Sequence, residues 1–225
     1  MQTEFINTAA HELRTPIQPI IGLAEILRSR KEVITAPIYD EYLSVIIRNA
    51  RRLKELTGNI LDIARIESQS INLNREVVEI DSLILNALQD IKSQIGINQE
   101  VRLLYDSRKE DAIFVEADKD RITQVISNLL SNAINFTKRG TIAITKEKKE
   151  EAGSVNISVG DTGTGIDPEI FPRLFTKFAT KSDKGIGLGL YISKRIVEAH
   201  GGRIWAENNT GRKGATFTFS LPLNN

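Results

Sequence analysis

The sequence contains no cysteine, which excludes disulfides, thiolate catalysis and cysteine-based metal sites. It also lacks an excess of either charge. Thirty Lys and Arg stand against 29 Asp and Glu, a formal net charge of +1, so electrostatics imply neither a nucleic acid nor an anionic membrane surface as a partner. No apolar run approaches the roughly 18–20 residues of a membrane helix, and the N-terminus does not read as a secretory signal. Internal repeats and low-complexity tracts are absent too. What remains is globular composition, 40% hydrophobic and 26% charged, over 225 residues, enough for one large domain or two modest ones. Helix-like sequence begins almost at Met1, as expected of a piece of a longer protein. The expected location is cytoplasmic, the longer protein being attached to a membrane through a preceding region.

Two regions differ in texture, with an expected division into residues 1–72 and 73–225. From residue 4 to about 70 the pattern is helical and without strands, interrupted only near 31–38. Phe5, Ala9, Leu13, Ile17, Ile20, Ala24 and Leu27 recur at helical steps, as do Leu43, Ile46, Ile47, Ala50, Leu53, Leu56, Thr57, Ile60 and Ala64. One helix pair is too thin to bury two such stripes, so the expectation is an all-α hairpin that forms a four-helix bundle as a homodimer through residues about 4–70. The rest mixes short β-rich runs at 75–80, 100–105, 112–117, 140–146, 154–159, 202–207 and 214–221 with helical segments at 81–95, 118–136 and 187–199. Lacking strict alternation, it reads as an α+β two-layer sandwich, a mixed sheet with helices on one face, with Asp118 as N-cap of its middle helix.

Four constellations carry chemistry. In His11-Glu12-Leu13-Arg14-Thr15-Pro16, His11 lies about 160° around the helix from Ala9 and Leu13 and points away from the core. Position alone also allows an indifferent surface histidine. Pro16 and Pro19 oppose the carbonyls of Glu12 and Thr15 and should bend the helix just after His11, at a cost of roughly 3 kcal/mol each. Asn128, Asn132 and Asn135 share one helix face opposite Val125, Ile126, Leu129, Leu130 and Ala133. Asparagine is a poor mid-helix residue, so three on a face suggest a polar site whose amide oxygens suit Mg²⁺, with a merely solvated face as the bland alternative.

Asp161-Thr-Gly163-Thr-Gly165 follows a strand, so a carboxylate that can accept from an adenine amino group sits beside backbone that a ligand can approach closely. Taken alone, it is also a common turn. Gly185-Ile-Gly187-Leu188-Gly189-Leu opens a helix and exposes backbone N–H groups to phosphate, without Walker A or dinucleotide spacing. The preceding ATKSDK reads as a lid that offers Lys181 and Lys184 to anions. His200, beside Gly201, reads as a structural cap of helix-end carbonyls.

Taken in order, these segments resemble the sensor histidine kinases. FINTAAHELRTP resembles their H box, QVISNLLSNAINFTK the N box, DTGTGI the G1 box, LFTKF the F box and GIGLGL the G2 box, with GATFTFSLP as the final strand. The resemblance covers nearly the whole chain. It implies a dimerisation and histidine-phosphotransfer domain followed by a GHKL-type ATP-binding domain of a two-component system. His11 would accept the phosphoryl group, Glu12 would take the imidazole proton, and Thr15 would position water for dephosphorylating the partner. Asn132 would ligate Mg²⁺, Asn128 would lie beside it in the nucleotide site, and Asp161 would receive adenine, with Gly163, Gly165, Gly187 and Gly189 lining the nucleotide.

Asn135 stands where relatives often carry a basic residue, which leaves phosphate neutralisation to Mg²⁺ and to Lys138 or the lid lysines. The expected cofactors are ATP and Mg²⁺, and the expected partner is a response regulator receiver domain. Two alternatives stand beside this reading. A chaperone- or gyrase-type GHKL ATPase would carry glutamate at the position of Asn128, and a degenerate kinase acting as a dimeric scaffold would have lost His11, Asn132 or Asp161.

Overall fold

Long stretches of helix formers at three- and four-residue spacing give the first unit two helices, α1 (Gln2–Ser29) and α2 (Ala36–Glu67), packed against each other. The computed structural model describes residues 2–29, 35–68, 72–92, 100–107, 112–180, 187–211 and 213–223. The chain divides into two units, Met1–Ser70 and Ile71–Asn225. The start of α2 lies inside the interruption expected at 31–38, because Pro37 stands in its first turn, where a missing N–H costs nothing.

Within the hairpin, Ala9 and Pro16 of α1 and Leu56, Ile63 and Ile66 of α2 are buried. Ile6, Ile17, Ile21, Ile47 and Leu61 remain 37–60% exposed. Apolar residues of the two helices therefore fall on two lines, one closing the hairpin and one left facing outward, and of the outward line only Ile17 and Ile47 belong to the stripes expected from the sequence. α1 continues as a single helix through both prolines.

The second unit holds β1 (Glu76–Glu79), α3 (Ile80–Lys92), β2 (Glu100–Leu104), β3 (Phe114–Ala117), α4 (Lys119–Phe136), β4 (Arg139–Lys149), β5 (Ser154–Asp161), α5 (Gly189–Ala199), β6 (Ile204–Asn208) and β7 (Ala215–Pro222). Single 3-10 turns occur at Glu150–Ala152 and Phe171–Arg173. β1 and β3 form an antiparallel ribbon. The main sheet has the order β2-β4-β5-β7-β6, with β2 parallel to β4 and every other pairing antiparallel.

Strand alternation puts Ile142, Ile144, Val155, Ile157, Val159, Phe217, Phe219 and Leu221 into the core against Ile122, Val125, Ile126, Leu129, Leu130, Ile192 and Ile196 of the helices. The opposite sheet face carries Thr145, Ser158, Thr216 and Ser220. This is the mixed sheet with helices on one face that the pattern implies. β4 runs to Lys149 rather than ending near 146, since Lys146 turns inward to an ion pair of 2.5 Å with Asp81 at the start of α3, where Tyr105 also bonds the carboxylate. Among the described residues no helix is long and apolar enough to cross a membrane.

Candidate active site

The hairpin presents His11 on an exposed face, with its side chain 74% accessible. Nδ1 lies 3.7 Å from Glu12 Oε1, and the other carboxylate oxygen lies 3.5 Å from Arg52 of α2. The Arg52 contact joins residues 40 apart, which local spacing does not reveal. Glu12 thus lies between the imidazole and the Arg52 guanidinium, with Nδ1 the ring nitrogen beside the carboxylate. Thr15 donates its hydroxyl to the His11 carbonyl at 3.1 Å, so its donor is spent on the helix while its lone pairs stay open.

In the second unit the other candidate residues gather around α4, the end of β5 and the start of α5. Asp118 caps α4, its Oδ1 accepting the Arg121 N–H at 3.1 Å. Asn128 donates to the Gly189 carbonyl at 3.4 Å and the Ser193 hydroxyl at 3.3 Å, tying α4 to the first turn of α5. Asn132, one turn further, makes no hydrogen bond to a described residue, so its amide oxygen is available. Asn135 follows in the last turn, and Lys138 is exposed in the turn before β4.

Asp161 is 5% exposed because it continues the inward alternation of β5 beyond Val159. Its Oδ1 accepts from Gly163 N at 2.8 Å and Ala215 N at 3.4 Å. Burial raises its pKa above 3.8, against the lowering effect of those two N–H bonds. Gly163 is needed for packing: a Cβ there would run into the Phe136 carbonyl at the end of α4. Asn208 was invisible to sequence reasoning, yet it clamps the loop after Gly165, accepting from Ile166 N at 2.7 Å and donating to its carbonyl at 3.0 Å.

Gly187 adopts φ +71° directly before α5, close against Phe178 and Ala179. Leu188 is buried and gives α5 no side-chain cap, so the first N–H groups of the helix are not claimed by a capping side chain. Gly189 begins the helix against Asn128. Lys181, Lys184 and Gly185, with the lid reading, lie outside the described residues. Among the described residues no group of three or more His, Cys, Asp or Glu could hold a metal, so a cation here would rest on amide oxygen, water and phosphate. The open Asn132 amide fits that donor set.

An exposed, carboxylate-flanked histidine on a hairpin and a GHKL-type sandwich define a class, and family models match both parts. The His Kinase A (phospho-acceptor) domain matches residues 1–69, and the Histidine kinase-, DNA gyrase B-, and HSP90-like ATPase domain matches 117–225. The chain belongs to the sensor histidine kinases, of which it forms a catalytic core with an ATP-binding domain.

Among curated relatives, the Sensor protein SrrB of Staphylococcus aureus (strain N315) is 35% identical over 99% of this chain. The SrrB of strain NCTC 8325 / PS 47 is 34% identical over the same share. The chain spans 38% of the length of these relatives. Of solved structures, the histidine kinase ThkA in complex with response regulator protein TrrA is 30% identical, covering 98% of this chain and 61% of that one, with a TM-score of 0.71. Full-length ShkA in complex with AMPPNP is 28% identical over 98% of this chain and 46% of that one, with a TM-score of 0.69.

Proposed function

We propose that the chain transfers the γ-phosphoryl group of ATP to Nε2 of His11 and passes it on to an aspartate of a response regulator receiver domain. The observation that carries this reading is the exposed imidazole with a carboxylate at 3.7 Å from Nδ1. Attack by the Nε2 lone pair forms the N–P bond as the bond from phosphorus to the ADP oxygen breaks. Positive charge then builds on the ring, and Glu12 receives the Nδ1 proton while Arg52 holds the carboxylate in place. Phosphoryl transfer needs mainly positioning and charge neutralisation.

The nucleotide belongs in the second unit. Asp161 accepts from the adenine amino group through the oxygen that Gly163 and Ala215 leave free, and Gly163 and Gly165 let the ring approach the backbone. The bare start of α5 at Gly187, Leu188 and Gly189 faces phosphate, with Lys181, Lys184 and Gly185 just before it in the sequence and Asn135 and Lys138 contributed from the end of α4 and the turn after it. Asn132 would hold Mg²⁺, which neutralises phosphate charge when bound. Asn128 keeps α4 and α5 together beneath the nucleotide.

The hairpin forms the homodimer, its outward line Ile6, Ile17, Ile21, Ile47 and Leu61 being covered by a second copy. The whole protein is a cytoplasmic or membrane-attached sensor kinase whose signal enters through segments beyond this chain. The retained His11, Asn132 and Asp161 count against a scaffold, and Asn128 counts against an ATPase.

Incubation with labelled ATP and candidate receiver domains tests the reading. Label is expected on His11, lost in acid and kept in base, as for a phosphoramidate, and absent from His11→Gln. Acid-stable label, or label in that variant, rejects the assignment. In the same assay Thr15→Ala is expected to keep autophosphorylation and transfer but to lose receiver dephosphorylation. A parallel fall of all three activities would leave Thr15 with only its bond to the His11 carbonyl.

A further inference from the structure

The helices α4 and α5 run antiparallel and are joined at two levels. One is the Asn128 contact with Gly189 and Ser193 described above. The other is His200, 3% exposed at the end of α5. The backbone N–H of Asp118, just ahead of α4, donates to His200 Nε2 at 3.0 Å, and Nδ1 lies 2.8 Å from the Ile196 carbonyl. A neutral imidazole carries one N–H, so with Nε2 accepting, the proton sits on Nδ1 and both nitrogens are satisfied.

The same junction takes in the segment that enters the second unit. Asn74 donates its backbone N–H to Asp118 Oδ2 at 2.9 Å, and Arg75 donates to the Ala199 carbonyl at 2.8 Å. Entry segment, start of α4 and end of α5 therefore converge on one ring.

We propose that His200 is a positioning residue for the nucleotide site: its neutral ring sets α5 against α4, and protonation releases that hold and weakens ATP binding. This rests on the reading of the α4–α5 face as the nucleotide site. A proton on Nε2 would turn the acceptor into a second donor facing the Asp118 N–H, leaving a buried N–H without a partner. Burial is the main cause that keeps the pKa below 6.5, opposed by the Ile196 carbonyl.

The charged groups facing the ring are Arg75 of the entry segment, which adds to the lowering, and Asp118 of α4, which opposes it. β7 meets this end of α5 through the uncharged Pro222, beside Gly201. Because the folded pKa is the lower one, the unfolded chain binds more protons between it and 6.5. The stabilisation is complete above 6.5 and is lost as pH falls through that value toward the folded one.

Calorimetric titration of the 225-residue chain with ATP and Mg²⁺ at about pH 7.5 and about pH 5, on either side of an ordinary histidine, tests the proposal. In His200→Gln the side-chain oxygen can accept the Asp118 N–H and does not titrate in this range. Protonation of ATP itself affects both proteins equally. Wild-type affinity is expected to fall about threefold to tenfold more than that of the variant, the worth of one net hydrogen bond. Parallel losses overturn the proposal alone, whereas absence of ATP binding at the higher pH overturns the nucleotide reading and the proposal with it. Ring-nitrogen NMR of the wild type needs no variant to fold: a proton on Nδ1 is expected near neutral pH, and a proton on Nε2 overturns the proposal.

Discussion

The two units place their polar chemistry in opposite ways. The hairpin carries His11 on an open surface, where the imidazole keeps its solvent contact and needs only Glu12 and Arg52 beside it. The sandwich takes Asp161 and His200 into its interior, where each must be matched by backbone N–H or carbonyl groups. On the proposed reading His11 is a nucleophile that meets two partners in turn, so exposure serves it. On the same reading Asp161 is a recognition group that must distinguish one base edge, so burial serves it, at a cost in stability.

Glycine substitutions test that contrast most sharply. Gly163→Ala drives a Cβ into the Phe136 backbone, and we expect a loss of about 3 kcal/mol in the unfolding free energy of the second unit, read by denaturant titration. Next comes Asp161→Asn. The amide oxygen keeps the bonds from Gly163 and Ala215 but turns an NH₂ toward the proposed position of the adenine amino group, so ATP affinity should fall about 10–100-fold in calorimetry.

Stability should move the other way in Asp161→Asn. The folded pKa of Asp161 is raised, so its contribution is full below 3.8 and is lost as pH rises through the folded value. Removing the buried charge should leave the melting temperature at neutral pH equal or higher. A drop in both affinity and stability would show that the carboxylate is structural.

Arg52→Gln probes the open surface. Freed from one side, Glu12 should orient less well, and the labelling rate should fall about 2–5-fold with the KM for ATP unchanged, as suits a part-exposed ion pair. A change in KM instead would break the separation between the units. The smallest effect is expected at Gly58, where an added Cβ meets nothing within 4 Å. Gly58→Ala should stabilise α2 by about 0.5–1 kcal/mol in thermal unfolding.

What the sequence made legible was local in origin. The Asp118 cap, the asparagine face of α4, the exposed side of His11 and the inward end of β5 each follow from a period of 3.6 or 2 within one element. Contacts across long sequence separations were not legible. Arg52 reaches Glu12 across 40 residues, and His200 reaches Asp118 across 82. Lys146 sits in the run KEKK, which reads as a solvated strand end until Asp81, 65 residues earlier, is seen beneath it. The parallel pairing of β2 with β4 is equally silent, since nothing in either strand names its neighbour. The two stripes of the hairpin were visible as apolar residues, but the outer line, with Ile6, Ile21 and Leu61 outside those stripes, depends on how close α1 lies to α2.

That outer line also makes the two units differ in how they respond to dilution. The sandwich closes its core within one chain, so its melting temperature is set by the chain alone. In the proposed homodimer Ile6, Ile17, Ile21, Ile47 and Leu61 are covered by a second molecule, so the hairpin would gain stability by mass action, in proportion to the logarithm of protein concentration. Diluting the protein should therefore draw a single unfolding transition into two, the helical one moving down in temperature while the other stays in place.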